Sequence, residues 1–238
     1  MKQAQDLSYK SEARRGLLFV FMAGVLWSTV GLGIRMIDEA TVWQILLYRS
    51  ISLSLFLAIV IYLRSSGNLF TVVRAAGLPA CIAGLALVGA YSGGIYGIQS
   101  TSVANAMLLF ASAPFIAAIL GWIFLREKVR KATWVAILFA IAGIGIMVQD
   151  KTQGGAALLG NLAALGSAFG FAVFTVALRW GRSGDMLPAV FLSGIFAIFI
   201  TSSICLLSGL SFQISVNDTS IAMGMGVFQV GAGLVLYT

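Results

Sequence analysis

The chain of 238 residues is 60% hydrophobic and only 10% charged, and its formal net charge is +7. Because a soluble domain carries about 25% charged residues, this composition excludes a soluble globular protein and predicts an integral membrane protein. The positive charge does not indicate nucleic-acid binding, since the basic residues lie in short segments between apolar runs, where they act as topology signals.

A polar tail, residues 1–15, precedes eight apolar runs that are each close to the length needed to cross a bilayer. The first run, about residues 16–37, is too long for the core of a cleaved signal peptide, so we expect it to be a retained helix. The other runs cover about residues 43–63, 75–99, 102–125, 132–148, 156–179, 187–207 and 219–238. The pattern predicts an all-α polytopic membrane protein.

Orientation follows from the basic residues, because cytoplasmic loops carry an excess of Lys and Arg. With a cytoplasmic N-terminus, only Arg35 and Lys151 fall outside, and Arg49 falls within a span. The cytoplasmic segments then hold Lys2, Lys10, Arg14, Arg15, Arg64, Arg74, Arg126, Lys128, Arg130, Lys131, Arg179 and Arg182. This strong asymmetry supports the alternation of the eight runs.

The two halves of the chain show weak internal similarity at one constant offset, and their apolar runs coincide. The aligned pairs include Gly16 with Gly160, Leu18 with Leu162, Arg35 with Arg179, and Ile51 with Ile195. Five spans separate the copies, and because five is odd the second copy enters the membrane from the opposite face. The pattern predicts an inverted repeat of five-helix units, the architecture of many secondary transporters, whose substrate site lies near the midplane.

The first repeat, residues 16–149, holds five spans, whereas the second, residues 156–238, holds three. The final segment, GVFQVGAGLVLYT, resembles the third span, where LVGAYSGGIYG occupies the corresponding place. We therefore expect eight of ten transmembrane helices to be present, in a chain that is a fragment or truncation lacking about two.

Several motifs occur in a family-like order: GVLWST in the first span, YRS in the second, and YGIQSTSVANAMLLFASAPFIAAILGWIFLREKV followed by W-x-A-x6-G-I-G-I-M across the fourth and fifth. Together they resemble the EamA-type domain of the drug/metabolite transporter superfamily. The resemblance implies a ten-helix inner-membrane protein of two five-helix repeats that moves small metabolites such as amino acids or drug-like solutes. The substrate does not transfer with the fold, and spans nine and ten of the family's cavity have no counterpart here.

A transporter of polar solutes needs polar or aromatic side chains around a central cavity, because polar atoms facing lipid are costly. The candidate substrate-binding residues are Trp27, Tyr91, Tyr96, Asn105 and Gln229. Asn105 and Tyr96 are favoured, since the family's cavity includes their spans. Pro114 predicts a kink in the fourth span and is a candidate hinge. Each of these residues has an alternative role in plain helix packing or in bonds between helices.

Two charged residues have two interpretations each. Arg49 lies within the second span, roughly 9 Å from its outer end at 1.5 Å per residue; it either contacts an anionic substrate or serves a structural role, since arginine at that depth can snorkel to the interface. Glu127, at a cytoplasmic helix end, either anchors a salt-bridge gate or is a solvated loop charge. We expect no acidic residue within a span, and therefore no visible proton-coupling carboxylate.

The expected function is secondary transport by alternating access; the alternative is a truncated or partner-dependent membrane protein without transport activity. An intramembrane enzyme would need a nucleophile–base pair, a metal cluster or paired carboxylates. Because histidine is absent from the sequence and no buried acid is expected, we predict no enzyme activity, no cofactor and no metal. The expected partners are the lipid bilayer and a small-molecule substrate, not nucleic acid, and a homodimer is left open.

Overall fold

The computed structural model describes residues 16–65, 68–148, 155–182 and 185–237, so the predicted cytoplasmic tail lies outside the described residues. Within these ranges the chain is helical with short connections and contains no strand, which confirms the all-α prediction. The helices are α1 (Gly16–Arg35), α2 (Val42–Arg64), α3 (Leu69–Ser100), α4 (Val103–Phe124), α5 (Lys131–Val148), α6 (Gly155–Trp180), α7 (Leu187–Leu207) and α8 (Val216–Leu236).

Seven of the helices in the described ranges are long and apolar enough to cross a membrane, and α5 is the exception. Its apolar stretch, Lys131–Ile146, is shorter than the others. The seven long helices support a multi-pass membrane protein, whereas eight spans out of ten and the inverted repeat stay predictions.

Helix α3 has 32 residues, which is about 48 Å at 1.5 Å per residue and exceeds the roughly 30 Å hydrocarbon core. It is broken near its start at Gly77, whose φ of +63° is a left-handed conformation that glycine adopts without steric cost. Pro79 comes two residues later, in the first turn after the break, where its missing N–H leaves no helical hydrogen bond unmade. The break separates a short first segment from the part of α3 that packs in the bundle.

Helix α4 is divided near its middle into Val103–Phe110 and Ala113–Phe124. Pro114 lies in the first turn of the second segment, where its missing N–H leaves no helical hydrogen bond unmade. The proline therefore stands directly after the break, at the place where the sequence predicts a kink.

The centre of the bundle is built from α2, α3, α6, α7 and α8. Helix α3 packs along α6 and α7, and α2 packs along α7 and α8. Glycines allow this close approach: a Cβ at Gly93 would lie 2.6 Å from the Ala163 carbonyl oxygen, and one at Gly170 would lie 2.7 Å from that of Ala86. By contrast, a Cβ at Gly89 would meet nothing within 4 Å. Close contact of α3 with α6 is thus formed at Gly93 but not at Gly89.

Candidate functional site

The most deeply placed basic side chain belongs to Arg49 on α2, which is only 4% exposed. Its guanidinium carbon lies 4.4 Å from the ring centroid of Tyr91 on α3. The Nε atom is buried and has no hydrogen-bond partner, and no carboxylate among the described residues pairs with the guanidinium. A desolvated cation–π contact contributes about 2 kcal/mol, less than the several kcal/mol that burying an ion costs. The centre of the bundle therefore holds a positive charge that its described surroundings do not compensate.

Close contact between α2 and α8 fixes the position of Arg49. The Ser52 hydroxyl donates to the carbonyl oxygens of Arg49, at 3.0 Å, and of Met223 on α8, at 2.9 Å. A Cβ at Gly226 would collide with the Arg49 carbonyl oxygen and the Ser52 hydroxyl, so only glycine fits there. Residues Met225–Ala232 of α8 form a π-helical segment at this contact. Such segments are frequent at functional sites.

Gln229 lies on α8, about one turn after Gly226, and is 4% exposed. Its side-chain nitrogen donates to the Thr29 hydroxyl of α1 at 2.9 Å, while its Oε1 atom is buried without a partner among the described residues. Trp27 is exposed on α1, and its indole closely approaches Gly233 of α8, where a Cβ would lie 2.6 Å from the indole nitrogen. Two of the predicted residues, Trp27 and Gln229, thus lie at the contact between α1 and α8.

The other predicted residues are spread along α3 and α4. Tyr91 of α3 contacts Arg49 of α2. Tyr96 is 39% exposed. Asn105 is half-buried in the first turn of α4, where its backbone amide donates to the Ser102 hydroxyl at 3.1 Å. The structure therefore places Tyr91 in the central cluster and Tyr96 on an exposed part of α3.

A groove of about 600 Å³ between α3 and α6 is not a polar site. Its walls are apolar or glycine, apart from Ser92. The groove is open on one side and holds none of the predicted substrate-binding residues. The groove therefore does not bring together the predicted polar contacts.

Asp218 is a buried acid that the sequence interpretation missed. The expectation that no acidic residue lies within a span is wrong, because α8 begins at Val216 and Asp218 occupies its first turn with 0% exposure. The carboxylate accepts from the backbone N–H groups of Asp38, Glu39 and Ala40, at 3.2, 3.2 and 3.1 Å.

A sequence signal for this position exists. The Ser215 hydroxyl accepts from the Asp218 backbone N–H at 3.0 Å, which caps the start of α8. Serine followed three residues later by an acidic residue is typical of a helix N-terminus. The signal gives the start of the helix, while the burial of the carboxylate depends on the connection between α1 and α2.

An ion pair joins α6 to the connection between α4 and α5, at the end of the bundle where the basic residues concentrate. The Arg179 Nη1 atom lies 2.6 Å from the Glu127 Oε2 atom, and both side chains are 40% exposed. Arg179 also donates to the Ala117 carbonyl oxygen at 3.2 Å. A Cβ at Gly121 would lie 2.8 Å from the Glu127 carboxylate and 2.9 Å from the Arg179 guanidinium. Of the two interpretations of Glu127, the structure thus favours a bonded residue over a free loop charge.

Comparisons with known proteins show which proteins the chain resembles. The EamA-like transporter family matches residues 14–149. Protein RarD of Escherichia coli is 25% identical, over 94% of this chain and 74% of its own length. Solute carrier family 35 member G1 of Mus musculus is 35% identical, over 38% of this chain and 28% of its own length.

The uncharacterized transporter YetK of Bacillus subtilis is 34% identical, over 34% of this chain and 26% of its own length. One solved crystal structure shares the fold with a TM-score of 0.62 at 18% identity, covering 93% of this chain and 77% of the other. Two of these relatives are named as transporters, which agrees with the expectation of a non-enzyme and does not favour the alternative without transport activity. Since the family match covers more than half of the sequence, the chain belongs to the EamA-like transporter family.

Proposed function

We propose that the chain is a secondary transporter that moves small polar metabolites, such as amino acids or drug-like solutes, across the bacterial inner membrane by alternating access, with its N-terminus in the cytoplasm. The observation that carries the proposal is the buried Arg49 guanidinium, whose described partner is the Tyr91 ring. Charges inside a membrane bundle are costly and mark substrate or ion pathways. Membership of the EamA-like family supports transport as the activity.

The positive charge of Arg49 restricts the class of solute that we propose. A guanidinium binds a carboxylate with two parallel hydrogen bonds, and a solute carboxylate would compensate the charge of Arg49. The Gln229 Oε1 atom is a buried acceptor without a described partner, and it suits a donor such as the ammonium group of an amino acid. Trp27, Tyr96 and Asn105 complete the set of contacts that we propose on α1, α3 and α4.

Packing between the halves supports the inverted arrangement that alternating access needs. A Cβ at Gly84 of α3 would lie 3.1 Å from the Ser193 backbone nitrogen and 3.2 Å from the Ala189 carbonyl oxygen of α7. A Cβ at Gly226 of α8 would lie 3.1 Å from the Leu53 backbone nitrogen of α2. In both contacts a glycine of the third helix of one half meets the backbone of the second helix of the other half. Equivalent contacts of this kind are expected where two repeats rock against each other.

The pair between Glu127 and Arg179 is the proposed cytoplasmic gate. Ion pairs with this exposure contribute about 0–1 kcal/mol, so thermal motion suffices to open the pair in each cycle. The pair joins the connection after α4, in the first half, to α6 of the second half. Pro114 follows the break in α4. At that position it would let the second segment of the helix, Ala113–Phe124, move with the gate.

The test is solute counterflow in liposomes that contain the purified full-length protein. A panel of acidic, zwitterionic and cationic solutes should show transport of those with a carboxylate. Arg49→Gln should lower the rate at least tenfold, whereas Arg74→Gln, at an exposed position near the start of α3, should leave it unchanged. If no solute moves although the protein is folded, the alternative without transport activity is favoured. If Arg49→Gln transports normally, the central cluster is not the site.

A further inference from the structure

A cavity of about 700 Å³ lies at the corner where α4 ends and α5 begins. Trp122 and Ile123 of α4 form one wall, and Trp134 of α5 forms another. Arg126, Glu127, Lys128 and Val129 of the connection complete the lining. A volume between about 300 and 1,000 Å³ is ordinary for a ligand site. The corner thus combines an aromatic and aliphatic wall with three charged side chains.

The charge of this cavity is positive. The carboxylate of Glu127 is engaged by Arg179 at 2.6 Å, so the acidic group of the lining is neutralised. Arg126 and Lys128 are exposed, and neither has an ion-pair partner in the part of the chain that the structure describes. The two basic groups are therefore available to an anion.

The backbone holds Arg126 at this corner in an unfavourable conformation. Its φ is +55°, a left-handed conformation that costs free energy for a residue with a Cβ and that glycine usually supplies at a helix end. The Leu125 and Glu127 amides both donate to the Gly121 carbonyl oxygen, at 3.0 and 3.2 Å, and keep the turn in place. Arg182 has the same conformation, with a φ of +51°, so the backbone fixes the position of Arg126 at the corner but does not by itself give the basic group a use.

The level of the cavity in the membrane suggests which class of anion it would bind. It lies at the ends of two apolar helices, which is the level of the lipid headgroups. Trp122 and Trp134 pack edge to face, with their ring centroids 5.4 Å apart. Tryptophan is enriched at that level because its ring is apolar and its N–H is polar.

We propose that this corner, which we call the α4–α5 site, binds the headgroup of one anionic phospholipid. The phosphodiester and the acidic headgroup would lie against Arg126 and Lys128, and the upper part of an acyl chain would lie against Trp122 and Ile123. Basic pockets beside membrane helices bind anionic headgroups by the same combination of charge and apolar contact. The proposal does not depend on transport activity.

The experiment is a titration of the purified full-length protein in detergent with phosphatidylglycerol, phosphatidylcholine or inorganic phosphate, read as binding and as a shift in Tm. Phosphatidylglycerol should bind saturably and raise Tm, and the other two should not. The Arg126→Gln/Lys128→Gln variant should bind phosphatidylglycerol roughly 10- to 30-fold more weakly. The charge-matched control, Arg74→Gln/Arg182→Gln, should bind it normally.

Arg126→Gly separates a loss of binding from a loss of folding. Glycine suits the positive φ, so this variant should have an equal or higher Tm without lipid and a weaker affinity for phosphatidylglycerol. Equal binding of phosphatidylcholine, a full effect of inorganic phosphate alone, an equal loss in the control, or unchanged affinity in Arg126→Gly would each overturn the proposal.

Discussion

Two buried charges in this chain have opposite surroundings. At the N-terminal end of α8, the Asp218 carboxylate accepts hydrogen bonds from three backbone amides of the connection between α1 and α2. In the centre of the bundle, the Arg49 guanidinium has an aromatic ring as its described partner and a buried Nε atom without a hydrogen bond to the described residues. The first charge holds two parts of the chain together, whereas the second is the one that we propose a solute carboxylate binds. Burial alone therefore does not separate a structural charge from a candidate functional one; the number of described partners is what differs.

The largest loss of stability is expected from Asp218→Ala. This change leaves three amide groups without an acceptor, and each orphaned group costs about 1–3 kcal/mol, so we expect a loss of at least about 3 kcal/mol. The measurement is thermal or denaturant unfolding in detergent. Glu39→Gln is the control, because it alters an exposed side chain of the same connection and leaves the backbone amide unchanged. A loss below about 1 kcal/mol in Asp218→Ala would remove the distinction between the two charges.

A smaller loss is expected from Gly226→Ala, which tests the contact that positions Arg49. The new methyl group would collide with the Arg49 carbonyl oxygen and the Ser52 hydroxyl, and overpacking of this kind costs about 1–3 kcal/mol. Gly89→Ala is the matched control on α3, since its Cβ would meet nothing within 4 Å. Equal unfolding midpoints for the two variants would show that α2 and α8 are not in close contact.

The loss of stability in Glu127→Gln should be smaller than that in Gly226→Ala. An exposed ion pair contributes about 0–1 kcal/mol, so the midpoint of unfolding should change little. The transport rate should change more than the affinity for solute, because we propose that the pair acts as a gate rather than as a contact with the solute. Counterflow measured over a range of solute concentrations separates the two quantities. A change confined to affinity would contradict the role as a gate.

The smallest effect on stability is expected from Arg49→Met, although its effect on transport should be large. Replacing a poorly compensated buried charge with an apolar side chain of similar length is often neutral or stabilising, so the free energy of unfolding should fall by less than about 1 kcal/mol or rise. Arg49→Lys should retain stability but lose the bidentate geometry and most transport. A loss as large as that of Asp218→Ala would make Arg49 a structural charge.

The apolar spans were predictable from the sequence because length and hydropathy are local properties. The position of the α4 break was predictable as well, since Pro114 marks it. The inward face of α2 was not, because the polar and apolar residues of that helix are not segregated to opposite faces and no polar stripe shows its rotation. The contact between Arg49 and Tyr91 follows from that rotation. It therefore appears only when the helices are packed.

Partners that are distant along the chain explain the other differences. Asp218 lies at the edge of an apolar run, and its burial depends on amides about 180 residues earlier. The partner of Glu127 is Arg179, on another helix and 52 residues away. Neither contact leaves a periodic signal in the sequence, in contrast to the apolar spans themselves.

The π-helical segment Met225–Ala232 sets the register of everything that follows it in α8. A π turn accommodates one residue more than an α turn. Deleting a single residue from this segment would therefore restore a regular α-helix without shortening the span appreciably. Because the same rotation would then be made with one residue fewer, the residues after the segment, including the buried Leu234, would keep their faces. In evolutionary terms, one codon could be lost here with little change in the later packing, whereas the same deletion within a regular α-helix would turn every later side chain by about 100°.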